Sequence, residues 1–469
     1  MGDYMKDLSI KNILGVTSGK LLVGKEDYIV KSYSKDTRTI KNGDCYIGIK
    51  GENFDGNLFW EKALGNGAST VIVQNVDIDS GKLKKWEDKN IIKVEDTLEA
   101  LYGLARYKRN LYDIPVIAIT GSVGKTSTKD IVANVIAKKY KTLKTEGNNN
   151  NNIGLPFTIL RMQDEEAAVL EMGMNHFGEI SLLNSIANPN ICIITNIGTS
   201  HIGNLGSREN ILKAKLEILE GSKKRAVIIN NDNDLLHKWY EENKDKINIK
   251  TYGINEKSDI QAKDIQLYED SSEYQIHLNN KEEKIKVPIG GEHFVLNSLC
   301  AIAVGELLNI ENEDIKRGIE TFSLTKNRME VIELKNGIKL INDAYNSSVE
   351  SVKASLAYMN HMKANRRIAV LGDILETGEF ALALHKEIGK IVCENKVDIL
   401  ICSGENAKYI VESAKENGFD EKNIYYFENK ENIVDLLRKI IQVEDVILFK
   451  ASNGMRFFDI AEKIKGEFK

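Results

Sequence analysis

The sequence is short of the features that mark secreted, zinc-binding and membrane proteins. Its 469 residues include only five cysteines, scattered and without a Cys-x-x-Cys pair, so neither a disulfide framework nor a zinc knuckle is supported. The longest apolar runs, such as PVIAI and ICII, fall far short of the roughly 20 residues that cross a bilayer. The opening MGDYMKDLSI has no signal-peptide core. We therefore expect a cytoplasmic protein that does not enter a membrane.

An excess of charge of one sign is also missing. The chain has 64 Lys and Arg against 69 Asp and Glu, which gives a net charge of -5, and 42% of its residues are hydrophobic. This is the composition of an ordinary globular protein, and nothing in it indicates a nucleic-acid partner. The length exceeds what a single hydrophobic core usually organises, so it predicts about three domains.

The local pattern changes along the chain and suggests where those domains lie. Residues 30–110 mix short strand-like runs, such as CYIGIK and TVIVQ, with turns, and end in the helical pattern of DTLEALYGLARYKRN. Residues 111–325 alternate apolar strands with periodic helices, and residues 326–469 do so again. The alternation predicts an α/β protein with a central P-loop-type parallel sheet covered by helices, a Rossmann-like C-terminal α/β domain and a smaller N-terminal α/β domain.

A candidate phosphate-binding loop follows the apolar strand VIAIT. The match is partial, because Ile119 stands where the full P-loop pattern has its first glycine. The context supports it, since a strand runs into the glycines and a helix follows from Lys125. Without a ligand, the same glycines would simply make a turn. The candidate nucleotide-binding residues are Thr120, Gly121, Ser122, Val123, Gly124, Lys125, Thr126 and Ser127.

Two further strand ends offer ligands for a metal ion. Glu171 ends the strand AAVLEM, which should lie beside the P-loop strand and bring its carboxylate near the phosphates. Hard cations such as Mg²⁺ prefer such oxygen ligands, and the hydroxyl of Thr126 could join them. His201 follows another strand and could add a ligand, although a lone histidine in this position more often caps or closes a loop.

Lys215 is the least ordinary residue of the chain. In a helix over RENILKAKLEILEG its neighbours one turn away are all apolar, so the lysine lies in the middle of the buried stripe. Two readings stay open. The stem could be buried while the ammonium reaches water, or burial could lower the pKa and expose a neutral amine for chemistry or carboxylation.

A set of motifs in a fixed order carries a family resemblance. The motifs are TGSVGKTSTKD, EGNNNNNIGLP, EMGMNHFGEI, TNIGTSHIGNLGSRENILKAKLEI, GEHFVLNSLCAIAV, NRMEVI, NDAYNSSVESVKASL and GDILETGE. As a set, over about residues 30 to 456, they resemble the Mur ligase family of peptidoglycan precursor synthesis. NNNNNIGLP, DTRTIKNGDCYIGIKGENFDGNLF and KASNGMRF resemble the members that act on UDP-N-acetylmuramoyl-tripeptide and D-alanyl-D-alanine.

The resemblance implies an activity with ATP and Mg²⁺ as cofactors. ATP would phosphorylate the carboxylate of the UDP-muramoyl tripeptide, and the amine of D-alanyl-D-alanine would then displace the phosphate to form an amide. It also implies that Lys125, Lys215 and His201 serve catalysis, that Thr126, Glu171 and His201 hold metal, and that Lys215 becomes carbamylated and so adds a metal ligand. We expect a monomer without nucleic-acid or membrane partners.

The resemblance further implies substrate and nucleotide contacts from all three domains. Residues 1–110 would bind the UDP end of the precursor, residues 111–325 would bind ATP, and residues 326–469 would bring the dipeptide and close over ATP. Asn297 and Arg328 could otherwise be a helix cap and a hinge salt bridge. The implied ATP contacts are Asn297, Arg328, Asp343, Tyr345 and Asn346, and the implied substrate contacts are Thr37, Arg38, Asn152, Lys450, Ser452 and Arg456.

Other activities remain open at this point. The sibling ligase that adds the third amino acid of the peptide is one, although no DNPR-type segment is present in the last domain. Folylpolyglutamate synthetase shares the central fold but not the UDP-like N-terminal segment. A P-loop ATPase switch or a silent nucleotide-binding module would leave Lys215 and the metal ligands unexplained.

Overall fold

The computed structural model describes residues 6–221, 225–278, 281–325 and 328–468. Three sheets, which we call the N-terminal, central and C-terminal sheets, are mainly parallel and are accompanied by helices. Strands and helices alternate along most of the described chain. The predicted α/β class with several parallel sheets is therefore confirmed.

The N-terminal sheet has five strands in the order β2-β7-β6-β5-β4, of which only the β2–β7 pair is antiparallel. Helix α4 begins after Asp96, whose carboxylate accepts hydrogen bonds from the amides of Leu98 and Glu99. The elements of this region are β1 Leu8–Ser9, α1 Ile10–Thr17, β2 Lys20–Val23, β3 Ile29–Val30, β4 Tyr33–Ser34, β5 Cys45–Ile47, α2 Trp60–Gly65, β6 Thr70–Val73, α3 Ser80–Lys85, β7 Asn90–Lys93 and α4 Thr97–Asn110.

The central sheet has seven parallel strands in the order β14-β13-β12-β11-β8-β10-β9. Its elements are β8 Val116–Thr120, α5 Lys125–Ile136, β9 Thr142–Lys144, α6 Gly154–Leu160, β10 Ala167–Glu171, α7 Glu179–Ala187, β11 Ile191–Ile194, α8 Ile202–Leu205, α9 Arg208–Leu216, β12 Ala226–Asn230, α10 Asp234–Asn243, β13 Ile249–Gly253, β14 Ile260–Gln261, α11 Glu292–Leu307 and α12 Asn312–Glu320. Every residue of β8 is buried, as expected for a parallel strand covered on both faces.

The C-terminal sheet has six strands in the order β18-β19-β23-β20-β21-β22. Its elements are β18 Glu330–Glu333, β19 Lys339–Asn342, α13 Val349–His361, β20 Arg366–Gly372, α14 Ala381–Glu394, β21 Ile399–Ser403, α15 Lys408–Glu416, β22 Ile424–Phe427, α16 Glu431–Ile440, β23 Asp445–Lys450 and α17 Phe457–Phe468. Throughout the described ranges, no helix is long and apolar enough to cross a membrane.

Two antiparallel features interrupt the predicted alternation. Strand β18 pairs antiparallel with β19 at the edge of the C-terminal sheet. A separate three-stranded antiparallel sheet, absent from the sequence-based prediction, consists of β15 Lys263–Leu267, β16 Ser272–Leu278 and β17 Lys281–Val287. Alternate residues of β16 are buried, which is the period-two pattern of a half-buried strand. The buried face packs on α11.

A pair of helical glycines tests the packing of the C-terminal region. A β-carbon at Gly389 of α14 would lie 2.5 Å from the carbonyl oxygen of Ile410, whereas one at Gly466 of α17 meets no atom within 4 Å. Overpacking costs about 1–3 kcal/mol, while glycine inside a helix costs roughly 0.5–1 kcal/mol relative to alanine. We expect Gly389→Ala to lower the melting temperature and Gly466→Ala to leave it unchanged or raise it. Equal melting temperatures would contradict this packing.

Candidate active site

The phosphate-binding loop connects β8 to α5 at the carboxyl edge of the central sheet. Gly121 and Gly124 have φ angles of 153° and 82°, which side-chain-bearing residues rarely adopt. A β-carbon on Gly121 would also collide with the hydroxyl of Thr195. The hydroxyl of Thr120 is buried without a hydrogen-bond partner in the described part of the chain. The absence of a side chain at Gly121 therefore allows the end of β8 to approach Thr195, just after the end of β11.

The loop that follows β11 holds the P-loop in shape. Asn196 accepts hydrogen bonds from the amides of Ser122, at 3.0 Å, and Val123, at 2.9 Å. The hydroxyl of Ser122 accepts one from the amide of Gly198 at 2.9 Å. These bonds fix the first half of the P-loop before any ligand is present.

Lys125 turns back onto its own loop. Its ammonium donates to the carbonyl oxygens of Gly121, at 2.7 Å, and Ser122, at 3.2 Å. Burial is the main reason that the pKa of Lys125 falls to about 8; Glu171 opposes this shift and Arg328 adds a smaller lowering effect. An anion in the loop would therefore stabilise the ammonium.

Glu171 lies where the sequence predicts, because β10 pairs directly with β8 and places Glu171 opposite Ile119. The residue is only 2% exposed. Its Oε1 accepts hydrogen bonds from Asn150 at 2.8 Å and from the hydroxyl of Thr126 at 3.3 Å. Its Oε2 is buried and has no hydrogen-bond partner among the described residues. A buried carboxylate oxygen without a donor fits a hard cation.

Lys215 is 1% exposed and lies on the buried face of α9. Its pKa is lowered well below the usual value, first by burial and then by the nearby Lys125. Such burial does not fit an ammonium that reaches open water, so the snorkelling interpretation is not supported. The fold thus gathers Lys125, Glu171 and Lys215 in one neighbourhood.

His201 contacts the C-terminal region through Glu376. Its Nδ1 lies 2.7 Å from Oε2 of Glu376, in the turn after β20. This bond lowers the pKa of Glu376. In the part of the chain that the structure describes, His201 makes no side-chain hydrogen bond or ion pair with Thr126 or Glu171, and no group of three or more His, Cys, Asp and Glu side chains is placed to hold a metal. The metal role of His201 stays a prediction.

The C-terminal region forms the opposite wall of a cavity of about 170 Å³ above the P-loop. Arg328 lies over the ring of Tyr345 at 4.0 Å, and its Nη2 is 3.4 Å from the hydroxyl of Thr126. On the central side, Asn297 accepts a hydrogen bond from Thr128 at 3.1 Å. The predicted nucleotide residues that line the cavity are Ser122, Val123, Gly124, Lys125, Thr126, Ser127, Asn297, Arg328, Asp343 and Asn346.

Lys450, predicted to contact the dipeptide, lines the same cavity. It is 2% exposed, forms an ion pair with Asp343, and donates to the carbonyl oxygen of Asn346 at 3.2 Å. The hydroxyl of Ser452 accepts a hydrogen bond from the amide of Leu375 at 2.9 Å. Arg456 pairs with Asp459 on the surface. The three side chains predicted to hold the dipeptide thus each have a different protein partner, and their role stays a prediction.

The predicted precursor-binding residues lie outside this cavity. Arg38 is exposed and holds Asp36 through paired hydrogen bonds, which lower the pKa of Asp36 to about 2. The carbonyl oxygen of Thr37 accepts a hydrogen bond from Asn66. Asn152 donates to the hydroxyl of Tyr102 in α4 at 3.1 Å, and so joins the N-terminal and central regions.

The residues of the cavity wall that the sequence-based prediction missed include His293, Ser347 and Glu350. Burial lowers the pKa of His293 to about 4, so its ring is neutral at pH 7. Ser347 is buried and its hydroxyl has no partner within the described ranges. Glu350 accepts hydrogen bonds from the amide and hydroxyl of Thr199. Ser347 and Glu350 follow a strand end of the C-terminal sheet, where open α/β sheets gather ligands, so that signal was available.

The fold and the site define a P-loop enzyme in which a second α/β region covers the nucleotide cleft. Family models match three successive parts of the chain: the Mur ligase family catalytic domain over residues 30–109, the Mur ligase middle domain over residues 119–305, and the Mur ligase glutamate ligase domain over residues 327–453. The chain belongs to the Mur ligase family and is an ATP-dependent ligase.

Relatives and solved structures place it more closely within that family. The UDP-N-acetylmuramoyl-tripeptide–D-alanyl-D-alanine ligase of Bacillus subtilis is 36% identical over 97% of this chain and 98% of its own length. A crystal structure of MurF from Acinetobacter baumannii matches with a TM-score of 0.88 at 28% identity, over 98% of this chain and 99% of that one. MurF from Thermotoga maritima in complex with ADP matches with a TM-score of 0.80 at 28% identity, over 94% and 98%.

The unpartnered oxygen of Glu171 gives a testable prediction for metal binding. We expect Glu171→Gln to raise the Mg²⁺ concentration for half-maximal activity at least tenfold, because loss of even an outer-shell partner typically costs about 10–100-fold in metal affinity. Activity measured across a Mg²⁺ titration gives the comparison. Glu166→Gln is the matched control. Glu166 directly precedes β10, at the end of the strand opposite Glu171, and its carboxylate accepts a hydrogen bond from the amide of Lys141. Equal Mg²⁺ requirements for the two variants would contradict a metal site at Glu171.

Proposed function

We propose that this ligase joins D-alanyl-D-alanine to UDP-N-acetylmuramoyl-tripeptide at the expense of ATP, in cytoplasmic peptidoglycan precursor synthesis. One observation carries the proposal: the P-loop residues Lys125 and Thr126 line one cavity together with Arg328 and Asp343 of the C-terminal region. The buried Glu171 and Lys215 lie behind this wall, next to Thr126 and Lys125. Relatives that match nearly the whole chain carry the name of this activity, which supports the choice of substrates.

The reaction takes place in two steps of group transfer. A carboxylate oxygen of the tripeptide attacks the γ-phosphorus of ATP, the bond to the β-phosphate oxygen breaks, and ADP leaves. The amine of D-alanyl-D-alanine then attacks the carbonyl carbon of the acyl phosphate. The tetrahedral intermediate expels phosphate and the nitrogen loses a proton, which leaves an amide.

The side chains at the cavity suit this chemistry because it depends mainly on position and charge. Lys125 lies where it can exchange its bonds to loop carbonyls for phosphate oxygens. Arg328 approaches from the opposite wall and can neutralise charge on the same phosphates. Thr126 and Glu171 would hold Mg²⁺, which would screen the phosphate charge when bound. Asn297, Asp343, Tyr345 and Asn346 would position the nucleoside.

The N-terminal region would bind the UDP end of the precursor. A cavity of about 430 Å³ lies between Tyr33 and Ser34 of β4 and Arg161 at the end of α6, and Lys31 and Lys41 also line it. Lysine and arginine side chains are suited to diphosphate oxygens. We assign residues 1–110 to the precursor, residues 111–325 to ATP and residues 326–469 to the dipeptide. The chain would act as a monomer.

The product defines the activity directly. Purified protein incubated with ATP, Mg²⁺ and a panel of UDP-muramoyl peptides and amines should add the mass of one D-alanyl-D-alanine less one water to the tripeptide. ATP consumption should require both substrates. Addition of a single amino acid to the dipeptide would favour the sibling ligase instead. Phosphate release that does not depend on either substrate would favour an ATPase module.

The buried amine of Lys215 predicts a second result. A neutral amine can take up carbon dioxide to form a carbamate, with a new nitrogen–carbon bond and loss of one proton. We expect Lys215→Ala to lose most turnover, by about 10²–10³-fold if the carbamate acts as one preorganised electrostatic group, and added short carboxylic acids to restore part of it. Lys213→Ala, on the same helix, is the control. Full activity of Lys215→Ala would remove the carbamate from the mechanism.

A further inference from the structure

Lys450 has no donor left for a substrate. Its ammonium is buried at the end of β23. It forms an ion pair with the carboxylate of Asp343 and donates to the carbonyl oxygens of Asn346, at 3.2 Å, and Asp343, at 3.4 Å. A lysine ammonium has three donors, and these three acceptors account for them. A dipeptide carboxylate could reach this group only by displacing a buried ion pair.

Asp343 connects three segments of the C-terminal region. Its Oδ1 accepts a hydrogen bond from the amide of Met329, which precedes β18, at 3.1 Å. Its Oδ2 accepts one from the hydroxyl of Ser355 in α13 at 2.8 Å, in addition to the ammonium of Lys450. Asp343, Met329, Ser355 and Lys450 all line the cavity above the P-loop. The carboxylate of Asp343 therefore holds together the segments of Met329, Ser355 and Lys450, which form this wall of the cavity.

Met329, whose amide donates to Asp343, connects this carboxylate to the P-loop through its neighbour Arg328. Met329 has a φ of 48°, a conformation that a residue with a side chain keeps only when its surroundings hold it. It directly follows Arg328, whose guanidinium lies against Tyr345 and reaches Thr126. A shift of Asp343 would move Met329 and hence Arg328 away from the phosphates.

We propose that Lys450 is a positioning residue for the nucleotide, which holds Asp343 and through it Arg328 and the loop at Asn346, and that it does not bind the carboxylate of the incoming dipeptide. The inference rests on the ATP-dependent reaction proposed above. Removal of one partner of a buried ion pair leaves the other charge uncompensated. Asp343 would then turn toward water or toward the P-loop, and the wall would lose the shape that receives ATP.

The experiment separates the nucleotide from the dipeptide. ADP binding to Lys450→Met is measured by calorimetry without other substrates, and KM is measured for ATP and for D-alanyl-D-alanine. We expect ADP affinity to fall and the KM for ATP to rise at least about tenfold, the factor that corresponds to one hydrogen bond to a charged group. The KM for D-alanyl-D-alanine should change less than about twofold, since a group that does not touch the dipeptide adds no binding energy to it.

A double variant tests the route through Asp343. Asp343→Asn combined with Lys450→Met removes both charges, so ADP affinity should be no weaker than with Lys450→Met alone, whereas independent sites would give additive losses. Lys386→Met is the matched control, because Lys386 pairs with Glu416 on the outer side of the C-terminal region and does not line the cavity. It should bind ADP as the unaltered chain does.

Two outcomes would overturn the proposal. A tenfold rise in the KM for D-alanyl-D-alanine with unchanged ADP affinity would assign Lys450 to the dipeptide, and unchanged values for both ligands would leave it without either role. If Lys450→Met does not fold, Ser355→Ala carries the test, because it removes one donor from the same oxygen of Asp343. ADP affinity should then fall by a smaller factor, and an unchanged affinity would contradict the role of Asp343. The product assay on the unaltered chain decides the proposed function separately.

Discussion

The arrangement of the molecule depends on a concentration of positive charge at the carboxyl edge of the central sheet. Lys125 and Lys215 are close enough that one lowers the pKa of the other, and Arg328 acts on Lys125 from the opposite wall. Within the described ranges, Glu171 is the one carboxylate that raises the pKa of Lys125. Lysine and arginine side chains that repel one another favour an anionic ligand, so a triphosphate and a carboxylate substrate would satisfy a charge imbalance built into the fold.

The loop after β11 transmits the position of the C-terminal region to this charge cluster. On one side Asn196 and Gly198 bond to the P-loop. On the other side the amide of Thr199 bonds to Glu350, and the amide of Gly203 bonds to the carbonyl oxygen of Glu376. Because both sets of bonds lie within one short segment, this loop joins the C-terminal region directly to the phosphate loop. This link suits a reaction that must exclude water from an acyl phosphate.

The sequence predicts local features of the site better than the contacts between distant segments. Lys125 and its glycines follow from a strand, a turn and a helix adjacent in the chain, and Glu171 follows from the rule that parallel strands end at the same edge. Lys450 shows the limit. Its motif predicts a charged group near the site, but only the fold shows that Asp343, more than 100 residues earlier, already holds the ammonium. Arg38 is a different case, because its Nε and Nη2 bond to Asp36 only two residues earlier, a local ion pair that the motif alone does not predict.

Lys215 shows how modification could resolve the charge imbalance. As an ammonium it is disfavoured twice, by burial and by repulsion from Lys125, so the neutral amine is the form that the fold favours. Conversion to a carbamate would change the sign of the charge. Repulsion from Lys125 would become attraction, and two anions, the carbamate and Glu171, would then face Lys125 and Arg328. The added phosphate charge would still need a cation, and the unpartnered oxygen of Glu171 is suited to bind it. Burial favours the neutral amine that could react, whereas the charged partners of the carbamate oxygens, which the ammonium lacks, would offset the cost of burying the anion once it formed.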